Sequence, residues 1–411
     1  MLLKNEKSPR LTSISLFSGA GGLDIGLEQA GFQTLSAVEI CPDFSQTLRL
    51  NQSKGLRIGD SDRTYLEHTH IIQEDIYNIS ASDLNPEGLE IDCLVGGPPC
   101  QAFSSAGKQE SIFDSRGALV YQYLRLLKEV QPLTFIFENV RGLATARGKN
   151  GEPGEVLHEL LRLMGQMGYS SRAMLLNSAD YGSYQRRVRC FIIGSRIGKA
   201  PDIPLATHSK EALEADLFSQ ATKPWRTLRE FLSSHEDKDE SNWCRPTESL
   251  WEALKNLPNG SGLKSTGRAE ATRPNGHWGY RQGTFIADVD KPARTVTGSS
   301  SQDWIRMPDN SLRRLTLKEV ALLQGFPEEW TFCGSKANQF QQVGNAVPTI
   351  FGKTLGLSLS SYLQEKRKDC GFPYSIESEI DPIILESIRY TKYDHSRNGS
   401  YRVNRLSALL G

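Results

Sequence analysis

Cys100 has the most chemistry to offer in this chain, and its neighbours decide how it is held. It stands in Gly97-Pro98-Pro99-Cys100-Gln101, directly after the apolar run Ile91-Asp92-Cys93-Leu94-Val95. That run reads as a buried parallel strand bounded by turn residues. The two prolines fix φ and withhold two N–H donors, so neither strand nor helix continues through them. Cys100 is thereby presented at the carboxyl edge of a sheet, where open α/β folds place their chemistry. A thiolate there is a nucleophile, whereas a lone cysteine is ordinarily a small core hydrophobe. The pentapeptide alone leaves both readings open.

A second group is a loop with an acid behind it. Phe17-Ser18-Gly19-Ala20-Gly21-Gly22 follows the first strand and opens a helix whose apolar face begins at Leu23. Glycines let the backbone approach a ligand, and a helix N-terminus favours negative charge. Glu39 ends the next strand twenty residues after Gly19, where a carboxylate can accept from both hydroxyls of a ribose. Asp75 and Ile76 stand before a further turn. The spacing is not a full GxGxxG, so a nucleoside site and a plain tight turn both fit.

The third group is polar residues at strand ends. Glu138, directly after Phe135-Ile136-Phe137, would be poorly hydrated, so its pKa should rise and let it donate a proton near neutral pH. Capping the following turn is its structural alternative. Gln185-Arg186-Arg187-Val188-Arg189 leads into Cys190-Phe191-Ile192-Ile193, and alternation puts Arg187 and Arg189 on one face. Asn345, in Gly344-Asn345-Ala346-Val347-Pro348 before a helix, suits a helix cap as well as a ligand contact.

The elements that position these groups are legible from periodicity. Ser13–Phe17, Thr34–Glu39, Ile91–Val95, Leu133–Glu138 and Val188–Gly194 read as strands. Between them Leu119, Val120, Tyr123, Leu124, Leu127 and Val130 recur at helical spacing, as do Val156, Leu157, Leu160, Leu161 and Met164. Such alternation implies βαβ units and a mainly parallel sheet. From Ala200 to about Pro292 the chain is rich in Pro, Gly, Ser and Trp without sustained periodicity, which marks a second, irregular region. Thr316-Leu317-Lys318-Glu319 is a capping box, and helical signal returns from Pro348 to about Leu363.

Composition narrows the class. At 411 residues two domains are expected; 38% hydrophobic and 23% charged residues describe an ordinary globular protein. No apolar run is long enough to span a bilayer and Met1–Arg10 lacks a signal-peptide core, so the cytoplasm is expected and a membrane partner is not. The seven cysteines lack CxxC spacing, which argues against a disulfide framework and a structural metal site. Net charge is zero, yet Lys264, Arg268, Arg273 and Arg281 are opposed in their stretch only by Glu270.

In this order, these segments resemble the C5-cytosine DNA methyltransferase family of the bacterial restriction-modification type. The matches are Phe17–Gly22, Gly97–Ser104, Glu138–Val140, Gln185–Arg189, Arg294–Thr297 and Gly344–Pro348, with Gln324-Gly325-Phe326-Pro327 also looking like the family's run. The resemblance covers about Ser13 to Leu363. Ser15 departs from it, standing where many members carry an acid, and the tail beyond Glu365 has no counterpart.

The resemblance implies an S-adenosylmethionine-dependent, Rossmann-like large domain (1–200 and 315–365), a small target-recognition domain (201–314) and a C-terminal extension (366–411). It implies S-adenosylmethionine held by Phe17, Gly19, Gly21, Gly22, Leu23, Glu39, Asp75, Ile76, Pro99 and Asn345. It casts Cys100 as nucleophile at cytosine C6, Glu138 at N3, Arg189 at O2 and Arg187 as support, acting on a base flipped from duplex DNA. Gln101 to Arg116, with Ser104 and Lys108, looks like a loop that closes over that base. Lys264, Arg268, Arg273, His277, Trp278, Tyr280 and Arg281 are the candidate DNA readers, a solvated surface being their alternative. The expected partner is double-stranded DNA, met by a monomer and accompanied functionally by a cognate restriction endonuclease. A transfer-RNA cytosine methyltransferase shares the motifs; the long irregular region argues for DNA. In the tail, Ile383, Ile384, Leu385 and Ile388 favour an element packed on the large domain over a nucleic-acid contact.

Overall fold

The computed structural model describes residues 10–99, 118–214, 221–263, 284–367 and 374–396. Seven strands build most of one sheet: β1 (Leu11–Leu16), β2 (Phe32–Val38), β3 (His70–Ile72), β4 (Cys93–Gly96), β5 (Thr134–Val140), β6 (Ser170–Asn177) and β7 (Val188–Ser195). Helices α1 (Gly22–Gln29), α2 (Pro42–Lys54), α3 (Ala81–Leu84), α4 (Ala118–Val130) and α5 (Glu155–Gln166) alternate with them. Two-residue strands β8 (His208–Ser209) and β9 (Lys223–Pro224) pair with each other. Then come α6 (Leu228–His235), α7 (Glu248–Leu254) and a small sheet of β10 (Ser261–Gly262), β11 (Phe285–Ile286), β12 (Trp304–Arg306) and β13 (Leu312–Arg314). Then follow α8 (Leu317–Leu323), α9 (Lys336–Asn345), α10 (Thr349–Lys366), β14 (Ser378–Ile380) and α11 (Pro382–Ser396).

The large sheet runs β14-β6-β7-β5-β4-β1-β2-β3. Only β7 is antiparallel to its neighbours β5 and β6; the other pairings are parallel. The expected α/β class with a mainly parallel sheet is therefore what the chain adopts. The two periodic helices bury the faces their spacing predicts: Val120, Tyr123, Leu124 and Leu127 on α4, and Val156, Leu157, Leu160, Leu161 and Met164 on α5.

Several expectations need correction. Strands β3, β6 and β14 were not foreseen, the first and last being too short for an alternation signal. Strand β5 does not end at Glu138 but continues to Val140, because β7 pairs it through Val140↔Arg189 after β4 has stopped opposite Phe137. The irregular region holds real helices: α6 opens with a reciprocal capping box between Thr227 and Glu230, a signal present in the sequence and overlooked. Its small sheet packs Ile286, Trp304 and Leu312 against Leu254 of α7. The capping box at Thr316 and Glu319 forms as read.

Helices α1 and α10 cross with almost no side chain between them. A Cβ built on Gly26 would lie 2.2 Å from the Thr349 carbonyl oxygen and 2.5 Å from the Lys353 nitrogen; one on Gly352 would lie 2.4 Å from the Leu23 oxygen. Glycine at Gly22 has the same cause: its Cβ would meet the Val347 carbonyl at 2.3 Å. No side chain larger than hydrogen fits at that position against the segment that leads into α10.

The tail joins the large sheet. β14 pairs with β6, and α11 buries Ile384 and Ile388 in the same core as α4 and α5, while Leu385 points outward. No helix among the described residues is long and apolar enough to cross a membrane, and no cluster of metal-ligating side chains is found among them.

Candidate active site

At the carboxyl edge of the sheet, β1, β2, β4 and β5 deliver the loop, the acid, the proline turn and Glu138 side by side. Gly96 ends β4 with its Cα opposite Phe137 of β5, so the chain leaving β4 passes directly over Glu138. The approach is close: a Cβ on Gly97 would lie 2.5 Å from Glu138 Oε2. Asn139 donates from Nδ2 to the Pro98 carbonyl at 3.2 Å, tying the proline turn to β5. Pro98 is buried and Pro99 exposed. Cys100, Gln101, Ser104 and Lys108 lie outside the described residues, as do Lys264, Arg268, Arg273, His277, Trp278, Tyr280 and Arg281.

Glu138 is paired. Arg189 Nε lies 3.1 Å from Glu138 Oε1, with the two side chains 15% and 10% exposed, an ion pair well shielded from water. Burial pushes the Glu138 carboxyl up from the ordinary range, and the Arg189 and Arg187 guanidiniums pull it partly back. The result is a carboxyl shielded from water with a cation beside it.

Arg187 sits behind the pair as a support for loops. It is buried to 2% exposure and donates to the carbonyls of Val296 at 2.6 Å and Gly344 at 2.8 Å. Its charge is felt by Glu138, but its hydrogen bonds hold two loops. Gln185 and Gln324, absent from the expected site, complete that arrangement. Gln185 Nε2 donates to Gln324 Oε1 at 2.9 Å, and Gln185 Oε1 accepts from Val296 N at 2.7 Å. Gln324 Nε2 donates to the carbonyls of Val343 and Ala346. A Cβ on Gly344 would strike the backbone of Thr297 and Gly298 at 2.1 Å, so the segment bearing Val296 threads tightly behind α9. Four motif segments, distant in sequence, meet in this one buried knot. Two glutamines each placed before a motif were the only sequence signal for it.

The loop after β1 is shaped by backbone conformation. Phe17, Gly19 and Gly21 have φ of 58°, 59° and 89°, the left-handed region, and a Cβ on Gly19 would meet nothing within 4 Å. Glu39 closes the loop: its two oxygens accept from Gly19 N at 2.9 Å and Cys41 N at 2.8 Å. Burial raises its pKa against those two hydrogen bonds. Leu23 is buried within α1, beneath the loop. Asp75 caps the short turn Ile76–Asn78 by accepting from Tyr77 N at 3.1 Å, and Ile76 is buried behind it. Asn345 is the last residue of α9 and exposed; it caps neither helix, since Ala346 and Pro348 occupy those positions. An open-faced glycine turn with a half-spent carboxylate at its rim fits the methionine and ribose ends of a nucleoside cofactor.

The model of the C-5 cytosine-specific DNA methylase family matches residues 11–361. The type II methyltransferase M.Sau96I of Staphylococcus aureus is 34% identical over 361 residues, covering 85% of this chain and 75% of that protein. M1.HphI of Haemophilus parahaemolyticus is 32% identical over 349 residues, covering 84% and 85% respectively. Among solved structures, the Entamoeba histolytica methyltransferase EhMeth superposes with a TM-score of 0.60 at 16% identity, over 87% of this chain and 99% of that one. The structural likeness concerns the fold; the family model runs from β1 into α10. The chain belongs to the C-5 cytosine-specific DNA methylases.

Proposed function

We propose that this DNA cytosine-5 methyltransferase uses Cys100, Glu138 and Arg189 on a cytosine turned out of duplex DNA, with S-adenosylmethionine as methyl donor. The observation that carries the proposal is the shielded Glu138–Arg189 pair, with the Gly97 backbone pressed against the same carboxyl. Two residues, Pro98 and Pro99, separate Gly97 from Cys100 in the sequence.

Cytosine C5 is a weak nucleophile within an aromatic ring. Addition of the Cys100 thiolate to C6 forms an S–C6 bond and moves the ring electrons toward C5. Glu138 holds a proton at N3, offsetting the charge that develops there, and Arg189 holds O2. Once C5 carries the new methyl group, loss of the C5 proton returns the electron pair and breaks the S–C6 bond. Phe17, Gly19, Gly21, Gly22, Leu23, Glu39, Asp75, Ile76, Pro99 and Asn345 would hold the cofactor, which supplies an electrophilic methyl group when bound. Arg187 acts as a positioning residue. Target reading is assigned to the irregular region, including Arg268, Arg273, Tyr280 and Arg281, with Gln101, Ser104 and Lys108 on the DNA from the other side. The relatives' role as type II methyltransferases suggests a companion endonuclease of the same target.

The test is transfer of a tritiated methyl group to duplex DNA and to transfer RNA, with bisulfite sequencing of the DNA product. DNA containing 5-fluorocytosine should trap the protein through Cys100, and Cys100→Ser should neither transfer nor trap. Turnover by that variant on cytosine would refute the covalent route, and labelling of transfer RNA alone would refute the substrate.

A further inference from the structure

A fully buried carboxylate beneath the glycine loop has no part in the mechanism above. Asp24 stands in the first turn of α1, 0% exposed, and neither of its oxygens has a hydrogen-bond partner. An unpaired buried carboxylate is costly, and a structure that keeps one at a ligand loop needs a reason. Its polar neighbour is the Ser15 hydroxyl, which accepts from Ser18 Oγ at 2.8 Å, and Ser18 lies within the loop itself. The charge is thus one hydroxyl pair away from the loop backbone.

The loop needs such a charge. The N-terminus of α1 is a centre of partial positive charge, which suits the carboxylate of an amino-acid ligand but opposes a sulfonium. Glu39, the other acid at the loop, already accepts from Gly19 N and Cys41 N. Glu28, one turn further along the same face of α1, is committed to Leu66 N. Asp24, with the Ser15 hydroxyl as its polar neighbour, closes no hydrogen bond through either oxygen.

We propose that Asp24 is the buried counter-charge that lets this loop hold a sulfonium cofactor in preference to its neutral thioether product. This rests on the cofactor reading given above. The mechanism is electrostatic: a fixed anion in a low-dielectric site stabilises the cation more than the neutral form and favours exchange of product for fresh cofactor. Asp24 is therefore a positioning and specificity residue, not one that touches the reacting atoms.

Calorimetric titration with S-adenosylmethionine and with S-adenosylhomocysteine at pH 7.5 tests it. Asp24→Asn is expected to bind the sulfonium about tenfold more weakly while thioether affinity changes less than twofold. The double variant Ser15→Asp with Asp24→Ser returns the charge to the same contact from β1 and should restore the preference. Equal loss for both ligands in Asp24→Asn, or no loss for either, would overturn the proposal. So would a double variant that discriminates no better than Asp24→Asn. Failure of the wild-type protein to bind either ligand is a different result, one that removes the cofactor reading itself.

Discussion

Replacing Asp24 by Asn should make the protein more stable at alkaline pH, and the gain can be worked from the site. Burial pushes the Asp24 carboxyl from 3.8 up to about 6, against a weaker opposing pull from the Ser15 hydroxyl. A rise of about two units at about 1.4 kcal/mol each corresponds to roughly 3 kcal/mol once the group is ionised in both states. The sign follows from proton binding. The folded protein holds this proton more tightly than the unfolded chain, so the stability is present below about pH 4 and is lost as pH rises through about 6. Glu28, pushed up to about 7 by burial first and partly by the Asp24 charge, adds to the same trend. Asp24→Asn removes the charge but keeps the shape. Urea unfolding of both proteins at pH 4.5 and pH 8 should show the variant's advantage growing by about 2 kcal/mol across that range. An advantage that does not change with pH, or a variant less stable at pH 8, would refute the claim that an unpaired carboxylate is held there. Conditional on the sulfonium proposal, the same substitution trades ligand discrimination for stability.

Glu138→Gln should lower the single-turnover methylation rate by about 10²- to 10⁴-fold with cofactor affinity nearly unchanged, and an unaltered rate would exclude Glu138 from proton transfer. Gln324→Leu strands the Gln185 amide and the Val343 and Ala346 carbonyls, a loss of about 2–4 kcal/mol by denaturant midpoint, with relaxed target choice in bisulfite reads. Gly26→Val forces α1 from α10 and should cost about 3 kcal/mol or more, measured by thermal melting; a tolerated valine would contradict the crossing geometry. Truncation after Lys366 removes the burial of Ile384 and Ile388, worth about 3–6 kcal/mol, while leaving DNA affinity little changed. Normal melting with lost DNA binding and a shallower salt dependence would instead make the tail a phosphate contact.

The sequence alone determined the kind of chemistry and the class of scaffold. A cysteine behind two prolines, an acid behind three apolar residues and a glycine loop each announce themselves locally, because backbone restriction and burial act within a few residues. Strong helical periodicity was equally legible on α4 and α5, where one face is buried and the other wet. Tertiary structure decided what no local pattern encodes. Gly22 reads in sequence as one more loop glycine, and only the fold brings the Val347 carbonyl against it. Arg187 reads in sequence only as a support, and the fold alone shows what it supports, its donors ending on Val296 and Gly344, more than a hundred residues away. Asp24 reads in sequence as an ordinary first-turn acid favoured by the helix dipole. Only the packing around α1 takes both its oxygens out of water without closing a hydrogen bond to them, and burial of that kind is a property of the whole fold.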